Sequence, residues 1–262
     1  MATLLSTLAA FTHFLTAYTH TLLCLRTLYP RASFVRARFH NTAVYQSRHP
    51  LVCEWIRDAI AAVRDELLAG SVARIAIVIY NYDAGGGERG SARVMERYMV
   101  DVGSLPVVDK RERNTDIEWD DARGEEGDSD VDVDLSEQFR AALVSLTSRC
   151  AQLAPLPSSH CSFNISLELK DEPAVDPPLP HPQPWVPVQP SLQKTGRKGA
   201  APDEHGAAEQ EGRDLGGAKV TPVRTVEAGV FRFETWIEEA KAKFDMRLDP
   251  EPQNRAPVQN YL

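Results

Sequence analysis

Gly85-Gly86-Gly87-Glu88-Arg89-Gly90 satisfies the G-x-G-x-x-G spacing of a dinucleotide cradle, where missing side chains let the backbone approach a pyrophosphate. Such a cradle needs a helix directly behind it to aim backbone N–H groups at the phosphates. The stretch behind these glycines, Val94, Glu96, Tyr98, Val100 and Val102 interleaved with Met95, Arg97, Met99 and Asp101, instead has the period of a strand, and it brings no Walker lysine. The glycines therefore read as a hairpin turn. Asp128, Asp130, Asp132 and Asp134 alternate as calcium ligands would, but the glycine and closing glutamate of a calcium loop are missing. Cys24, Cys53, Cys150 and Cys161 form no C-x-x-C and sit among apolar neighbours, so they read as structural thiols of a reducing compartment. His13 and His20 fall on the threonine-rich flank of an apolar stripe, as satisfied or solvent-facing polar residues. Asn164-Ile165-Ser166 fits a glycosylation acceptor but lies within an alternating, strand-like run. No nucleophile elbow, H-E-x-x-H or placed pair of carboxylates occurs, so neither an enzyme nor a cofactor or metal is expected.

The elements that could position such groups are legible from periodicity. The 262 residues carry 29 Lys+Arg against 37 Asp+Glu, a net charge of -8, opposite in sign to a protein that grips a duplex by neutralising phosphates. Direct nucleic-acid binding would need a local basic patch, and sequence-specific binding is not expected. Residues 2–25 hold no charge, and none of the first 53 is acidic while Arg26, Arg31, Arg36, Arg38 and Arg48 are basic. A membrane span or an organelle presequence must be weighed, the latter making a mitochondrial matrix enzyme the remote alternative. Leu4, Leu8, Phe11, Leu15, Tyr18, Leu22 and Leu25 nevertheless step by three and four, the stripe of a core helix ended by Tyr29-Pro30.

Further along, residues 34–39 suggest a strand and 50–68 a helix with proline in its first turn and Gly70 behind it. Residues 72–82 form an interior strand that returns through the glycine turn. Residues 107–134 read as an acidic, solvated loop, 136–153 as a third helix and 161–169 as a strand. A proline-rich stretch, 173–190, surrounds Trp185; 191–218 reads as a disordered insertion, 230–237 as a late strand and 245–262 as a flexible tail. These elements make one domain over 1–244.

Two groups of residues together point to a family. Leu28-Tyr29-Pro30, Phe34, Arg36, Arg38, Phe39-His40-Asn41, His49-Pro50 and Trp55-Ile56-Arg57-Asp58 form the first. Cys161-Ser162-Phe163, Pro184-Trp185-Val186, Val220-Thr221-Pro222-Val223-Arg224-Thr225 and Trp236-Ile237-Glu238-Glu239 form the second. The chain resembles HORMA domains, and among them the accessory subunits of translesion DNA polymerase zeta. The resemblance implies an α+β fold, three helices on a mainly antiparallel sheet, with a C-terminal safety belt that closes over a partner's extended peptide.

It further implies a nuclear adaptor that binds the catalytic subunit of polymerase zeta through Tyr29, Trp55 and Trp185, against which a Pro-rich peptide packs. Taken alone, these aromatics read as core. Pro187 stands where the family carries an aliphatic residue. A second implied surface, Val220, Glu234 and Trp236, meets the C-terminal domain of the Y-family deoxycytidyl transferase; Glu234 stands where the family has a neutral amide and Trp236 where it has tyrosine. Arg140 matches an arginine of HORMA homodimer pairing, or is a solvated helix arginine. A spindle-checkpoint or meiotic HORMA protein is the alternative within the same superfamily.

Overall fold

Thr3 opens the first helix, α1 (Leu4–Leu25), by a reciprocal cap in which its Oγ1 accepts from the Ser6 amide and Ser6 Oγ accepts from the Thr3 amide at 2.9 Å. The computed structural model describes residues 3–81, 93–115, 130–156, 161–170, 219–228 and 231–248. The helix is long and apolar enough to cross a membrane, yet most of it lies inside the protein: Phe11, Phe14, Tyr18, Leu22 and Leu23 are fully buried. Removing it as a presequence would empty the core. It ends four residues before the anticipated stop at Tyr29-Pro30. Thr27 turns left-handed (φ 55°), its amide bonds Cys24 O, and the Leu28 amide bonds Leu23 O, closing the last turn before the proline is reached.

A single 3-10 turn, Arg31–Ser33, leads into a two-stranded ribbon, β1 (Phe34–Phe39) and β2 (Thr42–Ser47). The turn between them is His40-Asn41, both left-handed (φ 43° and 57°), the geometry that matches strand twist. Only β1 is legible in the sequence, because His40-Asn41 lacks the usual glycine signal. Next, α2 (Pro50–Ala69) buries Ile56, Ile60 and Val63 and ends at Gly70, whose φ of 77° disfavours a side chain. A Cβ there would also come within 2.8 Å of Val107 Cγ2.

The main sheet runs β5-β3-β4-β7-β6, antiparallel throughout, from β3 (Val72–Asn81), β4 (Arg93–Asp101), β5 (Cys161–Leu169), β6 (Lys219–Ala228) and β7 (Phe231–Glu239). A bulge at Met95 shifts the register, so that Ile79 faces Glu96 while Tyr80 faces Val94. It breaks the simple alternation read for 94–102: Met95, Tyr98 and Val100 join the helix-side core, whereas Val94 and Met99 join the opposite one. Between sheet and helices Phe14 stacks on Phe139 (centroids 4.7 Å apart), and Phe11 meets Phe233 at 5.1 Å and Phe231 at 5.4 Å.

Two boundaries differ from the sequence reading. The third helix, α3 (Asp130–Gln152), starts inside the run taken as an acidic loop over 107–134. Aspartates are favoured in a first helical turn, where the backbone dipole is positive, and charge density alone hides this. The beginning of that run is also anchored, since Arg113 Nη2 donates to Leu68 O at 2.6 Å and the Leu5 amide to Arg113 O at 3.3 Å. The second difference is α4 (Lys241–Leu248), which carries helix past the anticipated start of the tail at 245. The glycine turn, residues 116–129, Trp185, Pro187, the insertion 191–218 and residues 249–262 lie outside the described residues.

Candidate protein-binding surfaces

Among the described strands β5 stands at one margin of the main sheet and pairs only with β3. Its pattern half-buries Phe163 and Leu167, buries Ile165 and exposes Asn164. Asn164 turns its side chain back on the strand: Oδ1 accepts from the Ile165 amide at 2.8 Å, so a local side chain meets that backbone donor. A margin of this kind presents a template for a further strand.

Of the three residues expected at a peptide site, the fold brings two to the same end of this margin. Trp55, on α2 and 41% exposed, sets its indole edge-on against Phe163 with centroids 5.0 Å apart. Tyr29, after α1, is half-buried; burial pushes its phenol pKa up, and the nearby Tyr80 adds to the rise. Tyr80 pairs with Ser162, the neighbour of Phe163. These aromatics therefore line the start of β5. Trp185 lies outside the described residues.

Val220, Glu234 and Trp236 share the outer face of the β6–β7 hairpin, away from the helices. Val220 is opposite Glu238, two residues from Trp236, and Trp236 is opposite Pro222. Val220 is 54% exposed, Glu234 pairs with Arg232 at 2.9 Å, and Trp236 packs against the Ala76, Val78 and Met99 cluster while its Nε1 donates to Glu238 Oε1 at 2.8 Å. An ion ladder crosses the same sheet face: Arg74 reaches Glu168 and Asp101 at 3.0 Å each, and Arg97 reaches Glu168 and, at 3.7 Å, Glu238. Arg140 is half-exposed on α3 and pairs with Glu137 at 3.7 Å.

What the sequence concealed is the polar lock beneath this hairpin. Glu96 of β4, fully buried, accepts from Arg26 Nε at 2.8 Å, from Arg26 Nη2 at 2.6 Å and from the Tyr98 hydroxyl at 2.7 Å. The Lys243 ammonium of α4 bonds both Glu96 and Glu239. Arg26 also donates to Ala154 O at 2.7 Å beyond α3. One carboxylate thus ties together the end of α1, the exit of α3, β7 and α4. Charges so buried persist only when matched and hydrogen-bonded. Burial pushes the adjacent Cys150 thiol up to about 12 and raises the Tyr98 phenol well above its ordinary value, with Glu96 contributing second to the latter. All four cysteines are free thiols. The signal available in sequence was a lysine at the i+4 position from Glu239, which reads as a surface pair until tertiary packing encloses it.

No family model matches the chain. It is 29% identical over 234 residues to the DNA polymerase zeta processivity subunit of Schizosaccharomyces pombe, covering 87% of this chain and 90% of that protein. Among solved structures it is similar to a chain of the mitotic checkpoint complex, with a TM-score of 0.60, 15% identity and 88% of this chain and 97% of that one covered. It is also similar to Caenorhabditis elegans HTP-2 bound to the HIM-3 closure motif, with a TM-score of 0.52, 12% identity and 91% and 92% covered.

Proposed function

We propose that this chain, a HORMA-domain protein similar to the processivity subunit of DNA polymerase zeta, is a non-catalytic adaptor of that polymerase. It captures a Pro-rich segment of the catalytic subunit along β5, working in the nucleus during DNA-damage bypass. The outer face of β6 and β7, with Val220, Glu234 and Trp236, receives the C-terminal domain of the Y-family deoxycytidyl transferase. Arg140 supplies a contact for pairing with a second HORMA domain.

The observation that carries this reading is the β5 margin with Trp55 and Tyr29 at its start. Main-chain bonds to an added strand supply generic affinity, and flat aromatic groups beside it select proline rings. The positions of Lys170 and Lys219 also support a belt. Lys170 and Lys219 stand at opposite margins of a five-stranded sheet. A guest strand enclosed by the chain joining them leaves only when part of the domain opens, so its release is slow. A checkpoint or meiotic protein would use the same margin on another peptide; relatedness there rests on 12–15% identity, against 29% to the polymerase subunit.

The test is co-expression of the full chain with the Pro-rich segment of its polymerase zeta catalytic subunit, followed by titration of a labelled copy of that segment. Trp55→Ala and Trp185→Ala are each expected to weaken capture by about 2 kcal/mol or more while the protein stays folded. Unchanged affinity in both folded variants, or capture of a checkpoint closure motif in preference to the polymerase segment, would overturn the reading.

A further inference from the structure

The β1–β2 ribbon carries an unbalanced positive charge on a chain whose net charge is -8. Arg31, Arg36, Arg38 and Arg48 are all exposed, and none has a carboxylate partner among the described residues. Elsewhere on the surface Arg57, Arg74, Arg140 and Arg232 each hold a carboxylate at 2.9 to 3.7 Å. Sequence context explains the imbalance, since no acidic residue occurs before Glu54.

The pairing places Arg36 and Arg38 on one side, and Arg31 joins them through its contact with Tyr45. Arg36 faces Tyr45 and Arg38 faces Ala43, so the two arginines share one ribbon face, with Ala37 and Val44 on the other. Two residues of strand rise separate Arg36 from Arg38 by about 6.8 Å. Tyr45, half-buried, lies across from Arg36, and the Arg31 guanidinium sits over its ring at 5.8 Å and donates to its hydroxyl at 3.3 Å. An aromatic ring beside guanidinium groups that hold no carboxylate among the described residues is the chemistry that holds a polynucleotide strand: phosphates meet the arginines while a base stacks on the ring.

We infer that the exposed face of β1 and β2 is a sequence-independent binding surface for single-stranded nucleic acid. The arginines bond phosphate oxygens, and Tyr45 offers a stacking surface. A guanidinium suits this role better than an ammonium because its fork binds two oxygens at once, and the first 53 residues contain arginine but no lysine. The inference does not depend on the peptide reading.

Fluorescence anisotropy of a labelled oligothymidylate with the full-length chain, between about 50 and 200 mM salt, tests it. Three phosphate contacts, from Arg31, Arg36 and Arg38, predict a slope of log K against log salt of about -2.1, falling to about -0.7 in Arg36→Gln/Arg38→Gln with a loss of roughly tenfold or more in affinity at low salt. Tyr45→Leu is expected to weaken binding about tenfold with the slope unchanged, as stacking is not ionic. Thermal melts confirm that the surface variants remain folded. The inference is overturned by absent binding, by an arginine variant indistinguishable from the parent, by an unaltered affinity in Tyr45→Leu, or by poly-glutamate binding more tightly than the oligonucleotide, which would mark an acidic protein as the occupant.

Discussion

The Lys243 ammonium rests on the Glu96 carboxylate in the protein interior, 147 residues away along the chain. Neither side chain is exposed, and the same ammonium bonds Glu239 one helical turn back. This contact clamps α4 and the end of β7 onto β4, and so holds the whole β6–β7 hairpin in register.

Lys243→Met should therefore cost about 3–5 kcal/mol, because among the described residues it leaves buried Glu96 with only Arg26 and Tyr98 and buried Glu239 with only the exposed Lys219 at 3.8 Å. Chemical denaturation measures the loss. Lys243→Met combined with Glu239→Gln should recover part of it by removing one unmatched charge; a double variant as unstable as the single would argue against charge as the cause.

Stability should decline as the pH falls below about 6.5. His20 is buried in α1, its Nδ1 facing the Ser47 amide at 3.4 Å, and burial lowers its pKa. The native state thus holds a neutral imidazole while the unfolded chain takes up a proton, so stability is full above the unfolded pKa and falls below it, by at most about 1.4 kcal/mol per pH unit per group. His40, lowered by burial too, acts in the same sense. Denaturation of His20→Gln across pH 5 to 8 should show a shallower acid slope than the parent.

Tyr18→Phe should leave stability unchanged or raise it by about 1 kcal/mol. The Tyr18 ring is fully buried against Phe14, yet its hydroxyl has no hydrogen-bond partner among the described residues. An unsatisfied buried hydroxyl has lost its water without replacement, and deleting it removes that penalty. A lower melting temperature would reveal a partner, such as a trapped water.

Trp236→Ala should separate the two proposed partners. The indole covers Ala76, Val78 and Met99 on the face opposite the helices, so its removal is expected to impair binding of the Y-family domain by about 2 kcal/mol. Peptide titration at β5 should be unaffected. Loss of both together would indicate that the hairpin had detached from β4.

How much was legible in the sequence depends on the range of the interactions concerned. The α1 stripe, the proline start and glycine stop of α2, and the β-branched run of β3 express local propensity and periodicity, and each element stands where those signals put it. The bulge at Met95 escaped, because a one-residue register change is decided by partners on two other strands. The early start of α3 escaped because aspartates that repel in an open chain are favourable at a helix N-terminus. Of the candidate residues, Tyr29, Trp55 and Val220 were marked by the resemblance to HORMA domains, and Glu234 and Trp236 by position alone, since their residue types depart from it; their grouping into a strand margin and a hairpin face is a matter of sheet order.

From its sequence alone the chain determined its first three helices, most of the described strands and the acid-free arginine segment, all written in neighbouring residues. Tertiary structure alone decided which of the described strands lies at the sheet margin, which arginines hold no carboxylate among the described residues, and that Lys243 is an interior residue. The physical reason is that strand pairing and charge burial depend on groups brought together from distant parts of the chain. The balance between desolvation and ion pairing is settled only once those groups meet.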